Sequence, residues 1–307
     1  MFLLLACLGP PNDEKHDGGD DSGGGLLDTD SGGSETQYDV LLVADNTEDA
    51  ADAVFGVALS AADWMDDTMR VAITTTSVNV ADGASPEVDA GEAGSLVIGA
   101  RSEAADVSTA LICDTIAWRE SEIPRDGAYT CGDAYSSLSI EYLDCVCGRG
   151  EWETEPGNGN EEGLEAATEA VCRAVSTMPG DCTADDSAIS ASDAGSNDFL
   201  REGAGLRIVV VTSEGDGSRR VSSGDNDGSL YADILGSLAD DWGLSVVGPA
   251  YVDQDGSCLG GAQPWAVERY QWFADDNNGT YEDLTEIDAD CTPKDIGAAM
   301  QAVVSHF

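Results

Sequence analysis

Positive charge is scarce in this sequence. Its 307 residues hold 13 Lys and Arg against 60 Asp and Glu, a formal net charge of −47. Such a field repels nucleic-acid backbones and anionic lipid headgroups and keeps copies of the chain apart. The composition therefore predicts a monomer with no nucleic-acid partner. It fits a solvated acidic surface suited to high salt, with a basic partner as the alternative. Histidine is scarcer still, and His16 and His306 both lie in the tails. The folded part thus has no histidine to serve as a catalytic base or zinc ligand.

Long apolar runs and several catalytic signatures are also missing. No segment approaches the ~20 apolar residues of a membrane helix. No Cys-x-x-Cys pair occurs, and Cys145-Val146-Cys147 is one residue too tight for a zinc knuckle. There is no Gly-x-Ser-x-Gly elbow and no Gly-rich phosphate loop with its Lys. Paired carboxylates could do acid–base work, but in a chain this acidic any pair is a poor signal. The chain is expected not to be an enzyme. A secreted hydrolase acting through acidic residues is the least supported of three functional classes.

Cysteine is present, with nine residues in all. Cys7 stands apart. The other eight, Cys113, Cys131, Cys145, Cys147, Cys172, Cys182, Cys258 and Cys291, suggest up to four disulfides in an oxidising compartment. Cys172 is expected to pair with Cys182 and Cys258 with Cys291, while the other four are left unassigned. At the amino terminus, "LLAC" (Leu4 to Cys7) resembles the lipobox of a bacterial lipoprotein signal, with Cys7 as the lipidated residue. "MFLLLA" before it has no positive charge and is shorter than a working signal, so either the true start lies upstream or the match is chance. Residues 8–36 form a Gly, Ser and Asp tract with little to bury and are expected to be a disordered tether. The protein would then be extracytoplasmic, attached to the outer membrane or cell surface by lipid alone.

From residue 37 to 307 short apolar runs alternate with amphipathic ones. Strands are expected at Val40–Ala44, Arg70–Val78, Ser95–Gly99, Leu206–Thr212, Leu244–Val252 and near Tyr281–Ile287. Helices are expected at Ala50–Trp64, around Val107–Trp118, from Glu161, at Leu230–Trp242 with Gly243 as C-cap, at Pro264–Ala274 and from Thr292-Pro293 to Ser305. The helix after Glu161 shows one apolar stripe of Leu164, Ala167, Val171, Cys172 and Val175, and its Glu-rich first turn suits the helix dipole. Residues 100–157 read as a disulfide-stapled insertion that adds no clear strand. Continuously apolar strands alternating with helices predict an α/β fold: a doubly wound, mostly parallel, Rossmann-like sheet covered on both faces. Ligands in such sheets bind at the carboxyl ends of the strands, where strand order reverses.

"ADNTED" (Ala44 to Asp49) falls at such an end. Asp45, Thr47 and Asp49 alternate across a strand-to-helix turn, an oxygen set that hard cations prefer. Equally, Thr47 or Asp49 is a helix N-cap and Asp45 a turn former. "DNDG" at Asp225 and "DQDG" at Asp253 lack a calcium-loop register and read as solvated turns.

"DVLLVADNTEDA" resembles the first strand and metal loop of a von Willebrand factor A (vWA) domain. "MRVAITTTSV" resembles that fold's second strand, and "GNGNEEGLEAA" (Gly157 to Ala167) the loop and helix carrying its third metal-loop residue. "NDFLREGAGLRIVVVTSEGDGS" (Asn197 to Ser218) resembles its fourth strand and acidic loop; a Phe-Leu-Arg segment before that strand is similar to a subset of bacterial vWA-like lipoproteins. "ERYQWFA" (Glu268 to Ala274) resembles a late helix of those proteins. The resemblance implies a degenerate metal-ion-dependent adhesion site of Asp45, Thr47, Asp49, Asn158 and Glu214, with Asp216 as the substitute for Glu214. It implies Mg²⁺ or Ca²⁺ as the ion and an unidentified protein as ligand. Asp49, Asn158 and Glu214 depart from the family's residues but keep an oxygen donor. The functional expectation is a lipid-anchored binding or adhesion module. The alternative is a metal-free scaffold lipoprotein retaining the fold.

Overall fold

The computed structural model describes residues 36–46, 50–78, 93–112, 161–184, 187–221, 228–249, 264–283 and 296–307. The chain divides into Met1–Ser34 and Glu35–Phe307. The first unit, with Cys7 and most of the expected tether, lies outside the described residues. So do Thr47, Asp49, Asn158, most of the 100–157 insertion, and every cysteine except Cys172 and Cys182.

Six strands build one sheet in the order β3-β2-β1-β4-β5-β6. They are β1 Tyr38–Ala44, β2 Met69–Thr75, β3 Ile98–Arg101, β4 Gly205–Val211, β5 Trp242–Gly248 and β6 Tyr281–Asp283. β1 pairs in parallel with β2 and β4, and β5 in parallel with β4 and β6. β3 runs antiparallel to β2 across a register shift. This is the doubly wound arrangement expected, with one antiparallel edge strand of a kind common on such sheets.

Among the described residues seven helices cover the two faces: α1 Ala51–Leu59, α2 Ala61–Trp64, α3 Ala104–Ala110, α4 Gly163–Ala174, α5 Ser229–Leu238, α6 Pro264–Asp276 and α7 Ile296–Val304. Strand alternation decides which core each side chain joins. Val40, Leu42, Val71, Ile73, Val209 and Val247 point to one face with α1, α2, α3 and α7. Leu41, Val43, Ala72, Ile208, Val210 and Val246 point to the other with α4, α5 and α6. Because β1 and β4 are covered on both sides, they read as unbroken apolar runs. Tyr270 and Phe273 of α6 are core residues, whereas Trp272 is exposed.

The Phe-Leu-Arg segment acts as a clasp at the amino-terminal edge of the sheet. Phe199 is fully buried in the second core. Arg201 donates from Nε to Asp39 Oδ1 at 2.7 Å and from Nη2 to the Tyr38 carbonyl at 2.7 Å. Its backbone N–H also donates to Asp39. Arg70 adds a second cation 3.4 Å from Asp39, whose carboxylate is buried.

Two sequence expectations are corrected. The fifth helix ends at Leu238, and Gly243 is the second residue of β5 rather than a C-cap. A Cβ at Gly243 would lie 2.6 Å from the Asn278 carbonyl oxygen, so glycine admits the turn before β6 against the strand. The helix in the 100–157 region begins at Ala104, earlier than periodicity suggested, and β3 reaches Arg101 inside that region.

α4 keeps the apolar stripe read from the sequence but is buried on its polar side as well. Every residue from Gly163 to Cys172 is buried, Glu165, Thr168 and Glu169 included. Its apolar stripe packs on the sheet, and polar side chains of neighbouring segments enclose the rest. A disulfide joins Cys172 to Cys182, the pairing expected from the sequence.

Candidate functional site

The sheet's order reverses between β1 and β4, and in sheets of this kind that reversal is where a ligand crevice forms at the carboxyl ends of the strands. Backbone hydrogen bonds carry the pairing just past the strands. The Asp45 N–H donates to the Val211 carbonyl at 2.8 Å, the Thr76 N–H to Ala44 at 3.1 Å, and the Thr212 N–H to Val247 at 3.0 Å. This fixes Asp45, Thr76 and Thr212 side by side above β1, β2 and β4.

Asp45 is buried. Its Oδ2 accepts from Thr212 Oγ1 at 2.9 Å, from the Ser213 N–H at 3.1 Å and from Ser213 Oγ at 3.4 Å. Beside it, Asn46 Oδ1 accepts from Ser77 Oγ at 2.8 Å. Glu214 is half-buried, and its backbone N–H is turned back to Thr212 Oγ1 at 3.0 Å.

Glu161, which the sequence did not single out, joins this cluster, whereas the expected Asn158 lies outside the described residues. Only 2% of Glu161 is exposed. Thr76 Oγ1 donates to its Oε2, and its own carbonyl accepts from the Gly217 N–H at 2.5 Å. Its Oε1 has no hydrogen-bond partner, although it is buried. Burial, with further repulsion from Asp45, Glu214 and Glu162, pushes the Glu161 carboxyl well above the usual range. A buried acceptor without a donor is costly, so this is where the site is electrostatically incomplete.

Asp216 has a different role. It is fully buried, and Arg269 of α6 donates to its Oδ2 at 2.8 Å. Its Oδ1 accepts from the Leu164 N–H at 3.1 Å and from Ser218 Oγ at 2.6 Å. Burial raises its carboxyl's affinity for a proton, and Arg269 opposes that. These bonds cap the first turn of α4 and tie it to α6. Asp216 therefore secures the loop.

The same loop holds two more glutamates of α4. Arg219 donates to both oxygens of Glu162, from Nε at 2.8 Å. Arg220 Nε donates to Glu165 Oε2 at 2.8 Å, and Tyr231 of α5 donates to the same oxygen at 2.7 Å. The Glu-rich turn read from the sequence as a dipole match is thus a buried ion-pair ladder. The signal available for it was the pair Arg219-Arg220, set in a chain with few cations.

Among the described residues no group of three or more His, Cys, Asp or Glu side chains closes into a ready-made metal cage. The described oxygens do fit a hard cation in chemical type: Asp45, Glu161 and Glu214 are carboxylates, Thr76 and Thr212 bring hydroxyls, and the Glu161 Oε1 acceptor is unmatched.

No family model matches the chain. A search of curated proteins finds no match either. Among solved structures the chain is similar to a von Willebrand factor type A protein from Catenulispora acidiphila, at 11% identity and a TM-score of 0.38, over 87% of this chain and 41% of that one. The chain therefore spans less than half the length of that structure, and the likeness is one of fold alone.

Two outcomes follow from this geometry. Glu161 has its proton affinity raised by folding, so its contribution to stability is present below the ordinary glutamate range and is lost as pH rises through the folded-state value. In chelator, Glu161→Gln should gain stability relative to wild type as pH climbs from 4 to 8, measured by urea unfolding. An unchanged difference across that range would contradict the assignment. Arg269→Ala strands Asp216 as an unpaired buried charge and should cost about 3–5 kcal/mol in the same assay. A loss under about 1 kcal/mol would show that the pair does not organise the loop.

Proposed function

We propose that this chain is a lipid-anchored, extracytoplasmic binding module of the vWA type. It engages a protein partner through the crevice at the carboxyl ends of β1, β2 and β4, where it holds a divalent cation. The observation that carries this reading is the buried, unmatched Glu161 Oε1 beside Asp45 and Glu214. An unmatched carboxylate oxygen at a strand-order reversal is what a cation would neutralise. Asp45, Glu161 and Glu214 would supply charge, and Thr76 and Thr212 would orient them. Thr47 and Asp49 belong to the same first loop in sequence. A bound Mg²⁺ or Ca²⁺ supplies a positive centre for a partner's oxygen. Three carboxylates leave it less net positive charge than a site with one or two, so the partner group is better a neutral carbonyl or hydroxyl than a carboxylate. A binding role, not catalysis, follows from the absence of any nucleophile–base pair in the sequence.

A metal-free scaffold is the second reading, favoured by the three donors that Thr212 and Ser213 already direct at Asp45 Oδ2. One experiment separates them. Mg²⁺ or Ca²⁺ at ~100 times its dissociation constant stabilises by about 2.7 kcal/mol, roughly 5 °C in Tm for a domain of this size. Wild type should show that shift, with Asp45→Ala and Glu161→Gln losing most of it. If neither ion moves the wild-type Tm, the cation is abandoned and the scaffold stands.

The anchor has its own test. Expressed in a bacterium with its lipoprotein pathway intact, the chain should fractionate with membranes and be released by Cys7→Ala. Equal release of wild type and variant would remove the lipid from the proposal.

A further inference from the structure

Deep in α4, one turn past the ladder, Glu165 and Glu169 lie on the same side of the helix within hydrogen-bonding reach of each other. Both are fully buried. Each has one oxygen that is served and one that is not. Glu165 Oε2 accepts from Arg220 and Tyr231. Its Oε1 lies 2.7 Å from Arg220 Nη2, out of line for a hydrogen bond, and has no donor. Glu169 Oε1 accepts from the Ala188 N–H at 2.7 Å and from Ser187 Oγ at 3.1 Å. Its Oε2 has no donor.

Two ionised carboxylates cannot satisfy this arrangement, because both unmatched atoms are acceptors. A single proton on Glu169 Oε2 satisfies both, since it donates to Glu165 Oε1. The surrounding charges support that count. The loop after β4 contributes Asp216, Arg219 and Arg220, α5 contributes Tyr231, and α4 itself adds Glu162. Arg219 is committed to Glu162 and Arg269 to Asp216, which leaves Arg220, among the described residues, as the cation touching the pair. The Ala93–Gly94 turn packs on the same turn of α4 and brings no charge; a Cβ on Gly94 would lie 2.6 Å from that of Glu169. One cation against two carboxylates leaves one negative charge in excess.

We propose that Glu165 and Glu169 share one proton, and that its loss to solvent unlatches the Ser187–Ile189 segment from α4. Protonated, Glu169 is held by Glu165 on one side and fastens Ala188 and Ser187 on the other. Ionised, it is repelled by Glu165. The cheapest relief is to swing toward water, which breaks its bonds to that segment. The Cys172–Cys182 disulfide holds the chain on the amino-terminal side, so release is confined to the residues beyond it. Burial, then Glu165, pushes the Glu169 carboxyl up to about 7 from an ordinary 4.5. The latch is therefore fully closed below the ordinary value and opens as pH rises through about 7.

Amide hydrogen exchange at Ala188 in the full chain tests this. Glu169→Gln keeps the acceptor for Ala188 and places an NH₂ toward Glu165 without a titrating proton. Corrected for intrinsic rates, Ala188 should be equally protected in wild type and E169Q at pH 5.5. At pH 8.5 it should be about tenfold less protected in wild type only. Equal protection at pH 8.5 overturns the latch. A second measurement guards against a variant that folds poorly: the side-chain ¹³C carboxyl shift of Glu169 in wild type should titrate near 7, and a midpoint in the ordinary glutamate range overturns the shared proton.

Discussion

Burying the acidic helix α4 is the problem on which the rest of the structure turns. An unpaired carboxylate taken out of water costs several kcal/mol, and this helix with the two residues before it buries Glu161, Glu162, Glu165 and Glu169. Three arginines answer. Arg219 and Arg220 come from the loop after β4, and Arg269 reaches from α6 to fix Asp216 in that loop. The pairs do not make the protein unusually stable, since a buried pair roughly offsets its own desolvation. They make one packing of loop, α4 and α6 far better than its alternatives, because any other leaves charges unmatched.

The crevice inherits its shape from that arrangement. The loop that carries Arg219 and Arg220 begins with Ser213 and Glu214, so anchoring its far end on α4 sets where its near end meets Asp45. The Gly217 N–H bonds the Glu161 carbonyl, which joins the helix entry to the same loop. Glu161 then differs from its neighbours in one respect: every arginine of the loop is already taken by a glutamate further along α4. The unmatched oxygen lies at the carboxyl ends of the strands because the cations were used up behind it.

How much of this could be read in advance depended on how local the cause was. Strands β1 and β4 announce themselves as apolar runs, since burial on both faces leaves no polar alternation. Pro264 marks the start of α6 because proline fits a first helical position. Asp45 was identifiable because it ends a buried strand at the reversal of strand order. Glu161 was not, because what distinguishes it is a long-range fact: Thr76 just past β2 on one side and Gly217 from another loop. Periodicity placed α4 and its apolar stripe but gave no sign that its polar side is buried too. A buried glutamate and a solvated one look alike until the arginines that meet them are known. Gly243 misled for a related reason, as a glycine after a helix suggests a cap while a glycine under a neighbouring backbone is a packing requirement.

Arg70, Arg173, Arg201, Arg207, Arg219, Arg220 and Arg269 are each engaged with a carboxylate of the protein itself. In a chain with 13 basic residues this turns much of the positive charge inward and leaves the exterior overwhelmingly anionic. A dense counter-ion atmosphere must then accompany the molecule wherever it goes. Dissolved salt acts chiefly on the outer repulsion, because the sealed pairs Arg220–Glu165 and Arg269–Asp216 are poorly screened. Rising ionic strength therefore tightens this protein, the opposite of what it does to one held together by ion pairs on its surface.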